Sequence, residues 1–308
     1  MTAAPAPALE LETPPCNLCG GQDEEPLFEA LDGWPASAEA DYAATTDRYG
    51  AFGRVVRCRR CELVYTSPRV KAGRILQEYA AASDEPYLEQ RDARAINAHL
   101  ALAALRRHAP KGRLLEVGCS AGFFLSAARL TYDVCGVEPS AWARRYAREQ
   151  LKLDVPAATL EEAAFPDASF DVVASIDVIE HLADPAAHLR HAARLLKPGG
   201  VLYLVTPDIE SLSAKVLRSR WWGLRPAHIY YFSRLTMRRL LEREGFTVVE
   251  SGSYGRIFSY EYWLSRLVNY PPFVYQTAEA IIETLGIRRK FLYLDTRDSM
   301  QLVARKRS

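Results

Sequence analysis

The chain has 308 residues, 49% of them hydrophobic and 25% charged, enough for one large core or two unequal ones. Lys and Arg number 39 against 38 Asp and Glu, so a net charge of +1 gives no general attraction to nucleic acid or to an anionic membrane. No apolar run approaches the ~18 residues of a membrane-spanning helix, and the Ala/Pro-rich start lacks the basic and apolar parts of a signal peptide. A flexible leader over residues 1–15 and a cytoplasmic location are the expectations.

Four of the six cysteines form two C-x-x-C knuckles, Cys16/Cys19 and Cys58/Cys61, with 38 residues between them. Each knuckle presents two sulfurs on one tight turn, which suits a single tetrahedral zinc. All four ligands would be protein, so the metal is expected to be structural, in a zinc-binding module over residues 16–70. A redox pair fits less well, because neither knuckle opens a helix in a βαβ unit. The gap, with Trp34, Tyr42, Tyr49 and Phe52, is expected to pack on the main domain or to cover a substrate. Residues 71–110 read as a helical linker; an Ala/Leu run from Ala93 to Leu105 is broken by Pro110 and Gly112.

The next stretch organises the rest. Leu114, Leu115 and Val117 read as a strand buried on both faces, and Gly118 to Gly122 turn into an apolar helix start at Phe123–Ala128. Small residues there let a ligand lie against the backbone. A second strand, Asp133–Val137, ends at Glu138, where nucleotide-binding α/β folds hold a ribose. A dinucleotide fingerprint would need Gly at 120 and 123, which are Ser120 and Phe123.

The pattern Glu116-x-Gly118-x-x-x-Gly122 resembles the first motif of class I S-adenosylmethionine (SAM)-dependent methyltransferases. Cys58 to Arg69 is also similar to the knuckle and Pro-Arg exit of zinc modules that precede some such enzymes of secondary metabolism and surface-sugar pathways. The resemblance covers residues 110–250 best, then the zinc module, and 254–297 only loosely. It implies an α/β class, a Rossmann-like seven-stranded sheet of order 3-2-1-4-5-7-6 over residues 111–308, with SAM and structural Zn2+ bound. It further implies Glu116 at the cationic methionine end and Glu138 at the ribose. Gly118, Cys119, Gly122 and Pro139 would surround the turn. Adenine would meet Thr159 or Leu160, where family members often carry Asp, and Asp177 would help close the methionine end. Helices of the linker would form a lid, with Tyr79 and Tyr87 able to contact SAM.

Downstream, a helix over Trp142–Leu151, a third strand over Val155–Leu160 and a turn at Phe165–Ser169 feeding a fourth strand are expected. Val201–Val205 and Phe246–Glu250 read as the fifth and sixth strands, and the run from Asp298 to Ala304 as an antiparallel seventh. On the same resemblance, two insertions, at about 208–240 and 254–297, would belong to the acceptor side. His228, beside Tyr230 and Tyr231, is the first choice of general base, because an imidazole can take a hydroxyl proton near pH 7. His181 is its competitor, although Glu180 and His181 also read as a pair that fixes a loop; Tyr230 is the third catalytic candidate. Residues 254–294 hold ten of thirty-two aromatics, which suits an apolar acceptor wall or a homodimer contact. The expected reaction is in-line methyl transfer to oxygen or carbon of a small-molecule acceptor, a sugar or secondary metabolite. Two other readings are a zinc-containing scaffold with a vestigial SAM pocket and an NAD-type oxidoreductase.

Overall fold

In the computed structural model, residues 10–31, 34, 52–268 and 270–307 are described. The central sheet has six strands. In spatial order they are Phe246–Ser253, Ser299–Lys306, Leu196–Pro207, Phe170–Ile176, Gly112–Val117 and Tyr132–Val137. Only Ser299–Lys306 runs against its neighbours. The strands alternate their side chains between two cores. Leu115, Val117, Val173, Leu202 and Leu204 enter one, while Leu114, Val172, Ala174 and Tyr203 enter the other. This period of two on a sheet covered on both faces explains the unbroken apolar runs in the sequence.

The expected third strand is reduced to a single bridge, Val137 to Ala157. Pro156 offers no amide to a ladder. Thr159 then caps the short helix Leu160–Ala163, its hydroxyl accepting from Glu162 N at 3.3 Å. The remaining six strands keep the expected order, so the sheet is a mixed Rossmann-like one with six strands instead of seven.

The N-terminal segment is sewn into this sheet's surroundings. Its strands Glu24–Phe28, Val55–Cys58 and Val64–Thr66 are joined by Tyr230–Tyr231 from the 208–240 insertion, with Tyr230 opposite Tyr65. Cys16, Cys58, Leu63 and Tyr65 share one core with Met237, Leu240 and Phe246. Asn17 fastens the first knuckle from outside, donating to Asp184 Oδ1 at 2.9 Å and accepting from Ala186 N at 2.9 Å. Residues Leu11–Glu12 pair with Arg69–Val70, so the end of the expected leader is a strand. Phe52 is buried beside Trp221 and Tyr231, whereas Tyr42 and Tyr49 lie outside the described residues.

Helices Ala72–Ala81, Glu85–Glu89 and Arg91–Arg106 fill the linker, the last burying Ala98, Ala101, Leu102 and Leu105 against Phe124 and Leu125. Asn97 on this helix clamps a hairpin of the second insertion, Arg256–Ser259 with Phe291–Leu294. Its amide donates to Ile257 O at 2.8 Å and accepts from Ile257 N at 2.7 Å, like one more ladder pair. Among the described residues no helix is long and apolar enough to cross a membrane.

Candidate active site

The turn after Gly112–Val117 is fixed by backbone geometry. Gly118 and Gly122 have φ of +71° and +87°, a region that penalises other residues. A Cβ at Gly118 would stand 2.6 Å from Val178 Cγ2, and one at Gly122 2.5 Å from Leu153 Cδ1. Both glycines are thus demanded by the protein's own packing, where the sequence suggested close approach of a ligand.

Glu138 braces that turn. Its Oε2 accepts from Ser120 N and its Oε1 from Ser140 N, both at 2.7 Å. Each oxygen keeps a further lone pair for a hydroxyl. Glu116 is buried, and its Oε2 has no hydrogen-bond partner among the described residues. Burial, then the neighbouring Glu138 carboxylate, raise the Glu116 pKa well above the ordinary range. Burial also raises Glu138, although the two amides pull the other way. Two buried carboxyl groups that resist ionising together are a fitting seat for a cation.

In front of them opens a cavity of about 1020 Å³, at the upper end for small-molecule sites. Gly118, Glu138, Pro139, Thr159, Leu160 and Asp177 line it, whereas Glu116, Cys119 and Gly122 stand behind the lining. Asp177 has φ +55°, a strained value for a non-glycine residue, and its Oδ1 accepts from Arg256 Nη2 at 2.7 Å. Sequence reasoning missed Arg256; its only signal was a lone Arg at the head of an aromatic segment.

Glu180, His181 and His228 also line the cavity. The His181 and His228 rings meet edge to face, 4.6 Å between centroids. Tyr79 Oη lies 2.6 Å from His181 Nδ1, which is also 2.9 Å from Ala227 O. His228 Nδ1 is 2.8 Å from Gly223 O. Burial holds His181 down to about 4, and holds His228 well below its ordinary value with the His181 charge adding to the effect. Both rings are therefore neutral at pH 7. Burial, then the Asp177 carboxylate, raise Glu180. Tyr230 stands apart, outside the lining: its hydroxyl accepts from Arg69 Nη1 at 3.1 Å within the N-terminal sheet. Tyr87 is also outside the lining, stacked on Phe123 at 5.8 Å with the Arg94 guanidinium 3.4 Å from its ring centroid.

The profile of a family described as a methyltransferase domain matches residues 87–251, more than half of the 308. The chain belongs to this methyltransferase-domain family. Among curated relatives, it is 35% identical over 117 residues to the ubiquinone biosynthesis O-methyltransferase of Cereibacter sphaeroides, covering 35% of this chain and 47% of that one. It is 33% identical over 147 residues to a "Probable S-adenosylmethionine-dependent methyltransferase" of Mycolicibacterium smegmatis, covering 47% of this chain and 56% of that one. The chain thus spans about half the length of these relatives. A chain from the complex of the Haloferax volcanii Trm112 methyltransferase activator with its companion protein shares the fold at a TM-score of 0.50. It is 22% identical, with 69% of this chain and 91% of that one aligned.

Around this methyltransferase domain, the second insertion supplies one wall of the cavity through Tyr254, Phe258, Tyr262, Trp263 and Tyr270. The N-terminal segment supplies the four-cysteine cluster, whose sulfurs all lie within 4.8 Å of one another. Cys16 and Cys61 are 3.4 Å apart and Cys19 and Cys58 3.5 Å, near the ~3.8 Å edge of a tetrahedral Zn–S4 site. The family match begins at residue 87, beyond these cysteines, and it is the donor chemistry that fits a metal.

Proposed function

We propose that the protein transfers a methyl group from SAM to oxygen or carbon of a small-molecule acceptor. The observation that carries this reading is the pair of buried carboxyl groups, Glu116 and Glu138, bracketing the glycine turn at one end of a cavity large enough for cofactor and acceptor together. SAM is cationic at its methionine end and supplies an electrophilic methyl on sulfur. Glu116, behind the lining, would hold the cationic end through a bridging water and Glu138 the ribose hydroxyls, with Thr159 and Leu160 at the adenine. The relatives' names favour oxygen, and the aromatic wall favours an acceptor with an apolar or ring-shaped body. A phenol, a sugar or another secondary metabolite of the cytoplasm fits. Four cysteines would hold a structural zinc with no open position.

His181 and His228 face the acceptor with neutral rings, so either can meet its hydroxyl. Much of the rate comes from holding nucleophile and methyl in line and excluding water. The test is a labelled-methyl transfer screen against phenols, sugar nucleotides and carrier-bound intermediates. Transfer to one class is expected, with His228→Ala lowering turnover by about 10²–10⁴-fold at nearly unchanged SAM affinity. SAM binding without transfer to any class would favour the scaffold reading, and binding of NAD in place of SAM would favour an oxidoreductase.

A further inference from the structure

The acceptor end of the cavity gathers donors that methyl transfer alone leaves half used. One carboxylate oxygen of Glu180 and one ring nitrogen each of His181 and His228 lie within 4.8 Å of one another. They come from two separate stretches, the turn Ile179–His181 after the Phe170–Ile176 strand and the loop before Tyr230–Tyr231. The stretches are tied by Ile229 N donating to Glu180 O at 3.0 Å. Each ring is braced through its Nδ1. Gly223 O can only accept, so His228 Nδ1 carries the hydrogen and its Nε2 keeps the lone pair; His181 Nδ1 faces Ala227 O in the same way, with the Tyr79 hydroxyl sharing that nitrogen at 2.6 Å. Bracing of one ring nitrogen by a backbone carbonyl is how metal-bound histidines are oriented. Glu180 is only 1% exposed. Its Oε2 accepts from Thr206 Oγ1 at 2.9 Å, while its Oε1 is buried with no partner among the described residues. A bare buried carboxylate oxygen is costly, and a cation removes the cost.

We propose that Glu180, His181 and His228 bind one divalent first-row metal ion at the acceptor end of the cavity, separate from the cysteine cluster. Two imidazoles and one carboxylate form the donor set of open, reactive metal sites, whereas four cysteines form that of closed structural ones. A tetrahedral ion needs ligand atoms about 3.3 Å apart, so the three side chains close by up to about 1.5 Å on binding. The open positions face the cavity and would take water or an oxygen of the acceptor. That last role rests on the methyltransferase reading; the metal site itself does not.

The test titrates the full-length protein, its cysteine-bound metal retained, with Mn2+ and follows the free ion by electron paramagnetic resonance. Mn2+ favours carboxylate oxygen over thiolate sulfur, so the cysteines do not compete. One Mn2+ per chain is expected, bound at least tenfold more weakly in Glu180→Gln, His181→Gln and His228→Gln and not at all in the double histidine variant. Glutamine at 228 can still donate to Gly223 O, which spares the loop. Mn2+ bound alike by the wild type and the double variant, or by neither, overturns the proposal. Should the double variant not fold, selective broadening of the His181 and His228 imidazole resonances by Mn2+ in the wild type decides, and its absence overturns the site. A SAM titration of the same wild-type sample separates the two failures. SAM bound without Mn2+ rejects the metal alone, and no SAM bound rejects the methyltransferase reading whatever Mn2+ does.

Discussion

Glu138 has two tasks that one side chain performs at once. It ties Ser120 N and Ser140 N together, closing the glycine turn against the next loop, and it offers its spare lone pairs to the cavity. Glu138→Ala should therefore weaken SAM binding by about 1.5–3 kcal/mol, roughly 10- to 150-fold in Kd by calorimetry. An unchanged Kd would remove Glu138 from the cofactor site. At this scale the sequence was informative where the constraint is local: a glycine turn needing positive φ, and a carboxylate at a strand end. Arg256 and the meeting of His181 with His228 were not legible, because 79 residues separate Asp177 from its partner Arg256 and a loop fold brings the histidines together. Tyr230 stands away from the cavity lining for a related reason. Its neighbour in sequence, His228, faces the cavity, but the strand Tyr230–Tyr231 turns the phenol toward Arg69.

At the scale of elements, the strand Tyr230–Tyr231 joins the cysteine-bearing sheet to the loop that carries His228. Thr66 N donates to Ile229 O at 2.9 Å, and Ile229 N to Glu180 O, so the knuckle strands hold the loop that carries His228. The spacing of the cysteines was plain in the sequence; this pairing across the chain was not, since a two-residue strand has no periodic signature. Purified protein should hold about one zinc per chain that survives dialysis. Cys58→Ser should lose it and lower turnover more than it lowers SAM affinity, because the disturbed strand holds the loop that carries His228. Less than about half an equivalent, in protein kept reduced and away from chelators, would contradict the zinc assignment. A second element-level prediction concerns the helix Pro185–Leu195, whose buried His188 lies 2.9 Å from Ser175 Oγ on the adjacent strand. Burial lowers its pKa to about 4 from 6.5, so the unfolded chain takes the proton first. The stabilisation is full above about pH 6.5 and is lost as pH falls through 4, by up to about 3 kcal/mol. Denaturant melts at pH 7 and 4.5 should show a smaller acid loss in His188→Gln than in the wild type; parallel losses would place the acid sensitivity elsewhere.

Over the whole molecule, the strands were legible as apolar runs, whereas their order was implied only by the family resemblance; the one strand that failed to form contains Pro156 and runs into a helix cap at Thr159. The carboxyl ends of Gly112–Val117 and Tyr132–Val137 put the glycine turn and Glu138 at one end of the cavity. The strand Phe170–Ile176 leads to Asp177, Glu180 and His181, and the second insertion adds aromatic side chains to the lining. Such an arrangement is a cofactor site first, whatever the acceptor. Calorimetric titration of the full chain with SAM, with NAD as the control, tests this most directly. One SAM per chain with micromolar or tighter affinity and no heat from NAD is the expected result. The absence of SAM binding by protein that melts cooperatively would contradict it.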